Sequence, residues 1–214
     1  MQLGNIKKRN NSYWEDVPVK MWNGSSWQDA KVYKWDGSGW SNMTTQTVTK
    51  TWGCTFTQTY REAGTKRTDY RGEKICQGRY VYEPWGIMRS IIGFDDGARI
   101  RNELQGARID KVELYLQNEH WYYYAGGTVV AGFHNHSGKP NTFSHSEYGQ
   151  SYQKFYDRGT AGWVNLPVAL GYGIRDGYYK GVSIFANTGN GEYYGIFNGY
   201  GDWGAPQLKI TYTK

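Results

Sequence analysis

The chain has few cysteines and no long apolar run, and each shortage excludes a class of protein. Two cysteines, Cys54 and Cys76, are too few for a disulfide-rich secreted scaffold. They could form one bridge, although a chain made in a reducing cytoplasm more often keeps such thiols free and buried. No stretch approaches the roughly 18 apolar residues of a membrane span, and the N-terminus MQLGNIKKRNN lacks the apolar core of a signal peptide. We therefore expect no membrane partner.

Concentrated charge of one sign is also missing. The formal net charge of +6 is spread along the chain, whereas nucleic-acid-binding proteins usually concentrate positive charge on one stripe. The tight basic cluster of Lys7, Lys8 and Arg9 is interpreted as a solvated terminal arm, with contact to an acidic partner surface as the alternative. The sequence therefore predicts no nucleic-acid partner.

Aromatic residues and glycines, by contrast, are abundant. Ten Trp, twenty Tyr and seven Phe make up 17% of the sequence, and twenty-nine Gly accompany only five Pro. This composition favours strands joined by tight turns over helices, because aromatic side chains fit a pleated sheet and glycines fit its turns. The sequence therefore predicts an all-β protein.

The N-terminal residues contain a 13-residue repeat, from Trp22 to Trp35 and from Trp27 to Trp40. WNGSSW and WDGSGW align with each other, and RNNSYW (9–14) is a degraded third copy. Asn-Gly and Asp-Gly readily adopt the positive φ of hairpin turns, so each copy predicts a strand, a turn and a strand with flanking aromatics facing each other. Three such hairpins in series would form a small sheet.

That sheet would have little interior of its own. We therefore expect Trp22, Trp27, Trp35 and Trp40 to dock on another chain or on the rest of this one. The alternative is a sugar platform, as in the choline-binding repeats of cell-wall enzymes, which also pair aromatics with glycines. Docking is favoured because cross-strand aromatic pairs are common hairpin stabilisers.

A larger domain follows the repeats. The run SNMTTQTVTKTW (41–52) predicts a linker that enters a first strand, so residues 1–45 form the docking element and residues 46–214 the larger domain. Short strand candidates recur there between turn signals, a rhythm typical of a β-sandwich. They are Cys54–Tyr60, Arg79–Glu83, Met88–Phe94, Arg108–Leu116, His120–Tyr124, Thr128–His134, Lys180–Ala186, Tyr193–Asn198 and Pro206–Thr213.

Local patterns support both strands and one short helix in this domain. QLKITYT places Leu208, Ile210 and Tyr212 on one side, which is the signature of a half-buried strand. The convincing helical segment is short, roughly 167–175, with a proline early and Gly177 just past its end. The prediction is a sandwich with one short helix.

The larger domain resembles a known family. RSIIGFDDGARIRNELQGARIDKVELYLQ (89–117), GWVNLPVALGYGIRDGYYKGVSIFA (162–186) and PQLKITYT (206–213) are similar to jelly-roll adhesion domains of the DNRLRE type. The resemblance covers about 85–214 and rests on patterns of buried residues, so it implies a jelly-roll fold more than a function. The segment 118–159 departs from the family in its wealth of aromatics and histidines, and we expect it to form an exposed recognition edge with the loop FNGYGDWG.

The tryptophan repeats resemble segments at the start of small tail and appendage proteins of phages that infect Gram-positive bacteria. This resemblance implies a virion structural protein, made in the host cytoplasm, whose repeats contact other virion proteins and whose sandwich adsorbs to a host cell-wall glycan. We predict a homotrimer over a monomer, since aromatics provide interface material. The alternative is a cell-wall-active glycan hydrolase or its carbohydrate-binding module.

Aromatic side chains in the larger domain are the candidates for sugar contact, because sugar rings stack on aromatic faces through their apolar C–H edges. Subunit interfaces are the alternative use of the same side chains. A charged wall polymer would also involve Lys139 and Lys154. The predicted ligand-binding residues are Trp85, Trp121, Tyr123, His134, His136, Tyr200 and Trp203.

Signals for metal binding and catalysis are weaker. His134 and His136 share one side of an extended segment, with His120 and His145 nearby, but no carboxylate or thiol completes a known ligand spacing. We predict no cofactor. Glycoside hydrolysis needs two carboxylates in a cleft, and no Ser, Cys or Lys lies in a nucleophile motif, so we predict no catalytic residue and no enzyme. The available carboxylates are Asp95, Asp96, Glu113, Glu119 and Glu147.

Overall fold

The computed structural model describes residues 7–10, 13–16, 18–35, 37–42, 46–94, 98–143 and 148–214. The chain divides into two compact units, residues 1–48 with 213–214, and residues 49–212. Antiparallel strands dominate and helices are few, which confirms the all-β prediction. No helix within the described ranges is long and apolar enough to cross a membrane. The predicted boundary at residue 45 lies outside the described residues.

The first unit contains the three predicted hairpins. They are β1 (Lys7–Asn10) with β2 (Tyr13–Asp16), β3 (Lys20–Trp22) with β4 (Trp27–Asp29), and β5 (Tyr33–Trp35) with β6 (Trp40–Asn42). Each hairpin is a separate two-stranded sheet, so the expected single small sheet is wrong: among the described residues each short strand pairs with its own hairpin partner alone. The basic cluster at 7–9 lies in β1, paired with β2 instead of forming a free arm.

Local turn chemistry accounts for the β3–β4 hairpin. The Asn23 Oδ1 atom accepts hydrogen bonds from the backbone N–H groups of Ser25 at 2.9 Å and Ser26 at 2.8 Å. Gly24 has a φ of 100°, a conformation that costs glycine nothing and an L side chain about 1–2 kcal/mol. The turn therefore brings Trp22 and Trp27 opposite each other in register.

The second unit is a β-sandwich-like pair of sheets. One sheet has the order β13-β12-β15-β10-β8; the other has the order β7-β17-β11-β16-β9, with β14 also pairing β11. The two helices are α1 (Arg99–Leu104) and α2 (Val168–Asp176). The strands are β7 (Thr47–Gly53), β8 (Phe56–Tyr60), β9 (Ile75–Gln77), β10 (Arg89–Gly93), β11 (Arg108–Trp121), β12 (Gly127–His134), β13 (Tyr148–Phe155), β14 (Ala161–Leu166), β15 (Gly181–Phe185), β16 (Gly195–Phe197) and β17 (Gln207–Thr213).

The apolar core follows the alternation seen in the sequence. Leu208, Ile210 and Tyr212 of β17 are buried, while the intervening Lys209 and Thr211 are partly exposed. The two thiols, Cys54 and Cys76, are buried and unpaired, and burial raises the pKa of each to about 11. They therefore stay protonated at neutral pH and belong to the packing of the core.

Several predicted elements differ from the structure. The helix predicted at 167–175 is α2, but α1 was not predicted. Arg79–Glu83, predicted as a strand, forms turns, and the strand predicted at His120–Tyr124 ends at Trp121. Within the segment 118–159, β12 matches the predicted strand Thr128–His134, whereas β13, the edge strand of the five-stranded sheet, was not predicted.

Candidate functional site

The structure separates the predicted ligand-binding residues by burial. Tyr123 and Tyr200 are exposed, and Trp203 is 87% exposed, so these three can meet a ligand. Trp121 was expected to be exposed, and that expectation is wrong, because its side chain is fully buried. Its ring lies 5.3 Å from Phe197, centroid to centroid, inside the sandwich.

The histidine pair is also internal. The His134 side chain is buried, its Nε2 atom lies 3.0 Å from the Ile92 carbonyl oxygen, and its Nδ1 accepts the His136 backbone N–H at 3.1 Å. The half-buried His136 ring lies 5.7 Å from Phe143, and burial lowers the pKa of His136. Both ring nitrogens of His134 are engaged in holding β10, β12 and the following turn. Among the described residues no group of three His, Cys, Asp or Glu could hold a metal ion, and His145 lies outside them.

Trp85 is half-buried beneath two guanidinium groups. The Arg61 guanidinium carbon lies 4.1 Å from the Trp85 ring centroid, and that of Arg67 lies at 5.3 Å. Such cation–π contacts stabilise the ring where it stands. Trp85 also packs against a buried cluster that includes Met88 and Tyr194. The faces of the Trp85 ring are therefore largely covered by other residues of the protein.

Five tyrosines form an aromatic cluster at the surface of the second unit, here called the tyrosine surface. Its members are Tyr80 and Tyr82, in the turns after β9, and Tyr122, Tyr123 and Tyr124, in the turn after β11. Ring centroids lie 5.5 Å apart for Tyr80 and Tyr82, 6.3 Å for Tyr80 and Tyr122, and 4.9 Å for Tyr122 and Tyr123. Tyr82 and Tyr124 are each 82% exposed. The neighbouring rings pack edge to face, with planes at 61° to 89°, so the chain presents a cluster of aromatic rings at its surface.

No protein-family model matches this chain, and no curated protein is similar to it in sequence. The chemistry of the tyrosine surface is therefore inferred from its own geometry. Tyr80, which is partly exposed, stacks on the buried Tyr194 at a centroid distance of 5.3 Å and an angle of 22°. Because Tyr80 packs on a buried residue, the tyrosine surface is attached to the core and is formed before any ligand binds.

Cationic side chains border the tyrosine surface. The Arg158 guanidinium carbon lies 4.1 Å from the Tyr124 ring centroid, and its Nη2 donates to the Tyr122 carbonyl oxygen at 3.0 Å. Burial lowers the pKa of His120, and the positive charges of Arg158 and Arg71 lower it further. His120 is therefore a neutral ring at pH 7.

A buried ion network holds the segment that carries Tyr80 and Tyr82. Arg67, only 2% exposed, donates to both carboxylate oxygens of Asp69 at 2.8 and 2.9 Å and to Glu83 at 3.3 Å. Arg71 donates to the other oxygen of Glu83 at 3.1 Å. The Arg67 guanidinium holds the pKa of Asp69 below its usual range. Because one planar guanidinium group binds two carboxylates, it neutralises their charges and also holds the backbone segments that carry them in a fixed geometry.

The loop that presents Tyr200 and Trp203 is also braced. The Lys74 ammonium bridges Asp202 and Glu119, each at 2.9 Å, and so ties the loop to β11. The Asn198 side chain donates to the Trp203 carbonyl oxygen at 2.7 Å. Trp203 is therefore a second exposed aromatic on a fixed backbone.

The candidate catalytic carboxylates are engaged in ion pairs where the structure describes them. Glu113 lies between Lys111 at 2.9 Å and Lys209 at 3.1 Å, and although burial opposes the effect, these lysines lower its pKa. Glu119 pairs with Lys74. The lowered pKa of Glu113 makes this carboxylate poorly suited to act as a general acid at neutral pH. The other members of the predicted pool, Asp95, Asp96 and Glu147, lie outside the described residues.

The four predicted docking tryptophans form two similar pairs. The Trp22 and Trp27 ring centroids lie 5.6 Å apart with planes at 58°, and those of Trp35 and Trp40 lie 5.5 Å apart at 59°. All four remain between 51% and 69% exposed. Each pair therefore forms an exposed aromatic projection, here called an aromatic knob, and the chain carries two of them.

Sequence reasoning missed Tyr80, Tyr82 and Arg158 as surface residues. The run RYVYEP was interpreted as a strand, although Val81 and Tyr82 are both exposed, which breaks the alternation of a half-buried strand. Its proline and adjacent glycines were the signal for turns. Arg158 joins the surface only through folding, since it is far from Tyr122 in sequence.

Proposed function

We propose that the protein is a structural component of a phage particle whose sandwich binds a glycan on the host surface. The observation that carries the proposal is the tyrosine surface, a set of clustered, exposed and preformed aromatic faces beside polar and cationic groups. Sugars stack on such faces, and the fixed rings limit the entropy lost on binding. The jelly-roll topology implied by the family resemblance belongs to the same proposal.

The hairpins serve as the docking element in this proposal. Exposed tryptophan pairs suit a protein partner because Trp provides a large contact area and dominates many interface energies. The resemblance of the repeats to phage tail and appendage proteins supports a virion partner. A homotrimer on the particle is part of the proposal, and light scattering of the purified protein tests it.

Glycan binding is tested with wall fragments of the host and single alanine variants. We expect Tyr82→Ala and Tyr123→Ala each to weaken binding by roughly fivefold, since one stacking contact is worth on the order of 1 kcal/mol. Tyr178→Ala is the matched control, because Tyr178 is 72% exposed and does not belong to the tyrosine surface. Wild-type binding by both folded test variants would contradict the proposal.

The alternative class, a cell-wall hydrolase, is tested on the same material. Purified protein is incubated with wall polysaccharide, and released reducing ends are measured. Turnover that disappears in a folded Glu119→Gln variant would overturn the binding role in favour of an enzyme. Under our proposal the polysaccharide is bound and recovered intact.

Docking is tested by incorporation into particles. A Trp27→Ala, Trp40→Ala variant removes one ring from each exposed pair and leaves both turns unchanged. We expect incorporation to fall strongly while wall-fragment binding by the soluble protein is retained. Normal incorporation of this variant into particles would contradict the docking role.

A further inference from the structure

Two arginines beside the tyrosine surface lack carboxylate partners within the described part of the chain. Arg158 contacts the Tyr124 ring and the Tyr122 carbonyl oxygen, and its Nε atom is buried without a hydrogen-bond partner. Arg79 is exposed and forms no ion pair with any described carboxylate. Unneutralised guanidinium groups are available to an external anion.

The backbone places these arginines along one surface. A Cβ atom at Gly189 would lie 3.8 Å from the Arg79 Cδ, and a Cβ at Gly191 would lie 2.8 Å from the Tyr122 ring. The same short loop therefore contacts Arg79 at one residue and Tyr122 two residues later. Arg158 lies against Tyr122 as well. Arg158 thus contacts the tyrosine surface directly, and Arg79 lies next to Tyr80 in sequence and beside the loop that approaches Tyr122.

Three lysines of the second unit are already paired with described carboxylates. Lys139 pairs with Glu73, Lys154 pairs with Glu192 at 2.5 Å, and Lys74 is bound by two carboxylates. The lysines that the sequence offers for a charged polymer are therefore occupied. The available positive charge is instead carried by arginine, whose planar fork binds phosphate and carboxylate groups in a bidentate manner.

We propose that the ligand of the tyrosine surface is an anionic glycan, in which Arg79 and Arg158 bind phosphodiester or carboxylate groups while the tyrosines stack on the sugar rings. This inference rests on the proposed glycan-binding function and adds the chemical class of the glycan.

The test uses the full chain and four immobilised probes: a poly(glycerol phosphate), a polygalacturonate, a neutral glucan and a single-stranded oligonucleotide. We expect binding to one of the two anionic polymers, falling about tenfold from low to high salt because exposed charges are screened. The two polymers distinguish phosphodiester from carboxylate as the bound group. Preference for the oligonucleotide, or failure to bind either anionic polymer, would overturn the inference.

Variants separate the charge contribution from stacking. Arg158→Gln and Arg79→Gln are each expected to weaken binding roughly fivefold and to flatten its salt dependence. Arg158→Lys keeps the charge but loses the fork, so it should bind between wild type and Arg158→Gln. Lys139→Gln is the control for a cation that is already paired, and it should bind as wild type does.

The outcomes distinguish this inference from the proposed function. Salt-independent binding to the neutral glucan that is lost in Tyr82→Ala would leave the glycan-binding function standing and remove its anionic specificity. Wild-type affinity of both arginine-to-glutamine variants for an anionic polymer would also remove it. If the tyrosine variants bound every probe as the wild type does, both the proposed glycan-binding function and its anionic specificity would be contradicted.

Discussion

The Trp121 indole occupies a space that two glycines leave open. A Cβ atom on Gly195 would come within 2.5 Å of the ring, and one on Gly127 within 2.3 Å. Phe155 and Phe197 close the pocket with ring centroids 6.1 and 5.3 Å from that of Trp121. The last residue of β11 is therefore a central packing residue of the sandwich.

This packing gives a prediction for two tryptophans of opposite environment. Trp121→Ala should lower the free energy of unfolding by about 3–5 kcal/mol, because it leaves a large cavity in a close-packed core. Trp203→Ala should change it by less than about 0.5 kcal/mol, because the ring is 87% exposed. Urea denaturation of both variants measures the difference. Equal stabilities would show that the core tolerates the loss of the ring.

Residue identity alone does not separate these two tryptophans. HWYYYAGG and GDWGAP both place Trp among polar or small residues, so the local sequence predicts exposure for each. The difference arises from β16 and β12, which bring their glycines against Trp121 but not against Trp203. His134 behaves similarly, since its partner is the Ile92 carbonyl of another strand. Long-range contacts of this kind are not encoded in local spacing.

At the scale of elements, the hairpins are the part that local sequence predicts best. The Asn23 side-chain Oδ1 atom and Gly24 determine the β3–β4 turn within four residues, so the register follows from short-range chemistry. Strand β13 shows the opposite case. YGQSYQKF has few apolar residues and lies at a sheet edge, where one-sided burial does not impose alternation. It was therefore not predicted.

The turn chemistry makes a prediction for one hairpin. Asn23→Ala removes the acceptor of two backbone N–H groups and should destabilise the β3–β4 hairpin by about 1 kcal/mol. The exciton band of facing indoles in circular dichroism should decrease, with the Trp35–Trp40 contribution remaining.

Ser26→Ala provides the control for this prediction, because it keeps the backbone N–H that donates to Asn23. Its exciton band should match that of the wild type. A wild-type band in Asn23→Ala would show that the paired strands hold the tryptophans together without the side-chain acceptor.

At the scale of the whole molecule, the two compact units differ in how their hydrogen bonds are protected. The hairpins are two-stranded sheets, the side chains of β3, β4 and β5 are exposed, and such sheets are marginally stable in water. The strands β8, β10 and β15 are buried at every residue. Stability is therefore unevenly distributed along the chain.

Hydrogen exchange of the intact protein tests this distribution. Backbone amides of β3 to β6 should exchange within the shortest labelling times, whereas those of β10 and β15 should exchange only through global unfolding. Residues 182–184 provide the reference for slow exchange, since all three are buried in β15. Slow exchange in the hairpins would mean that another surface protects them in solution.

The self-contained turns of the hairpins have an evolutionary consequence. Each 13-residue unit carries its own turn chemistry and its own aromatic pair, and each pairs only within itself. An in-frame duplication or deletion of one unit would therefore change the valency of the aromatic knobs without altering any residue of the sandwich. Under the proposed docking role, avidity for a repetitive partner surface would rise or fall with copy number. Gain or loss of one unit would then change attachment to the particle and leave the proposed glycan-binding surface of the sandwich unaltered.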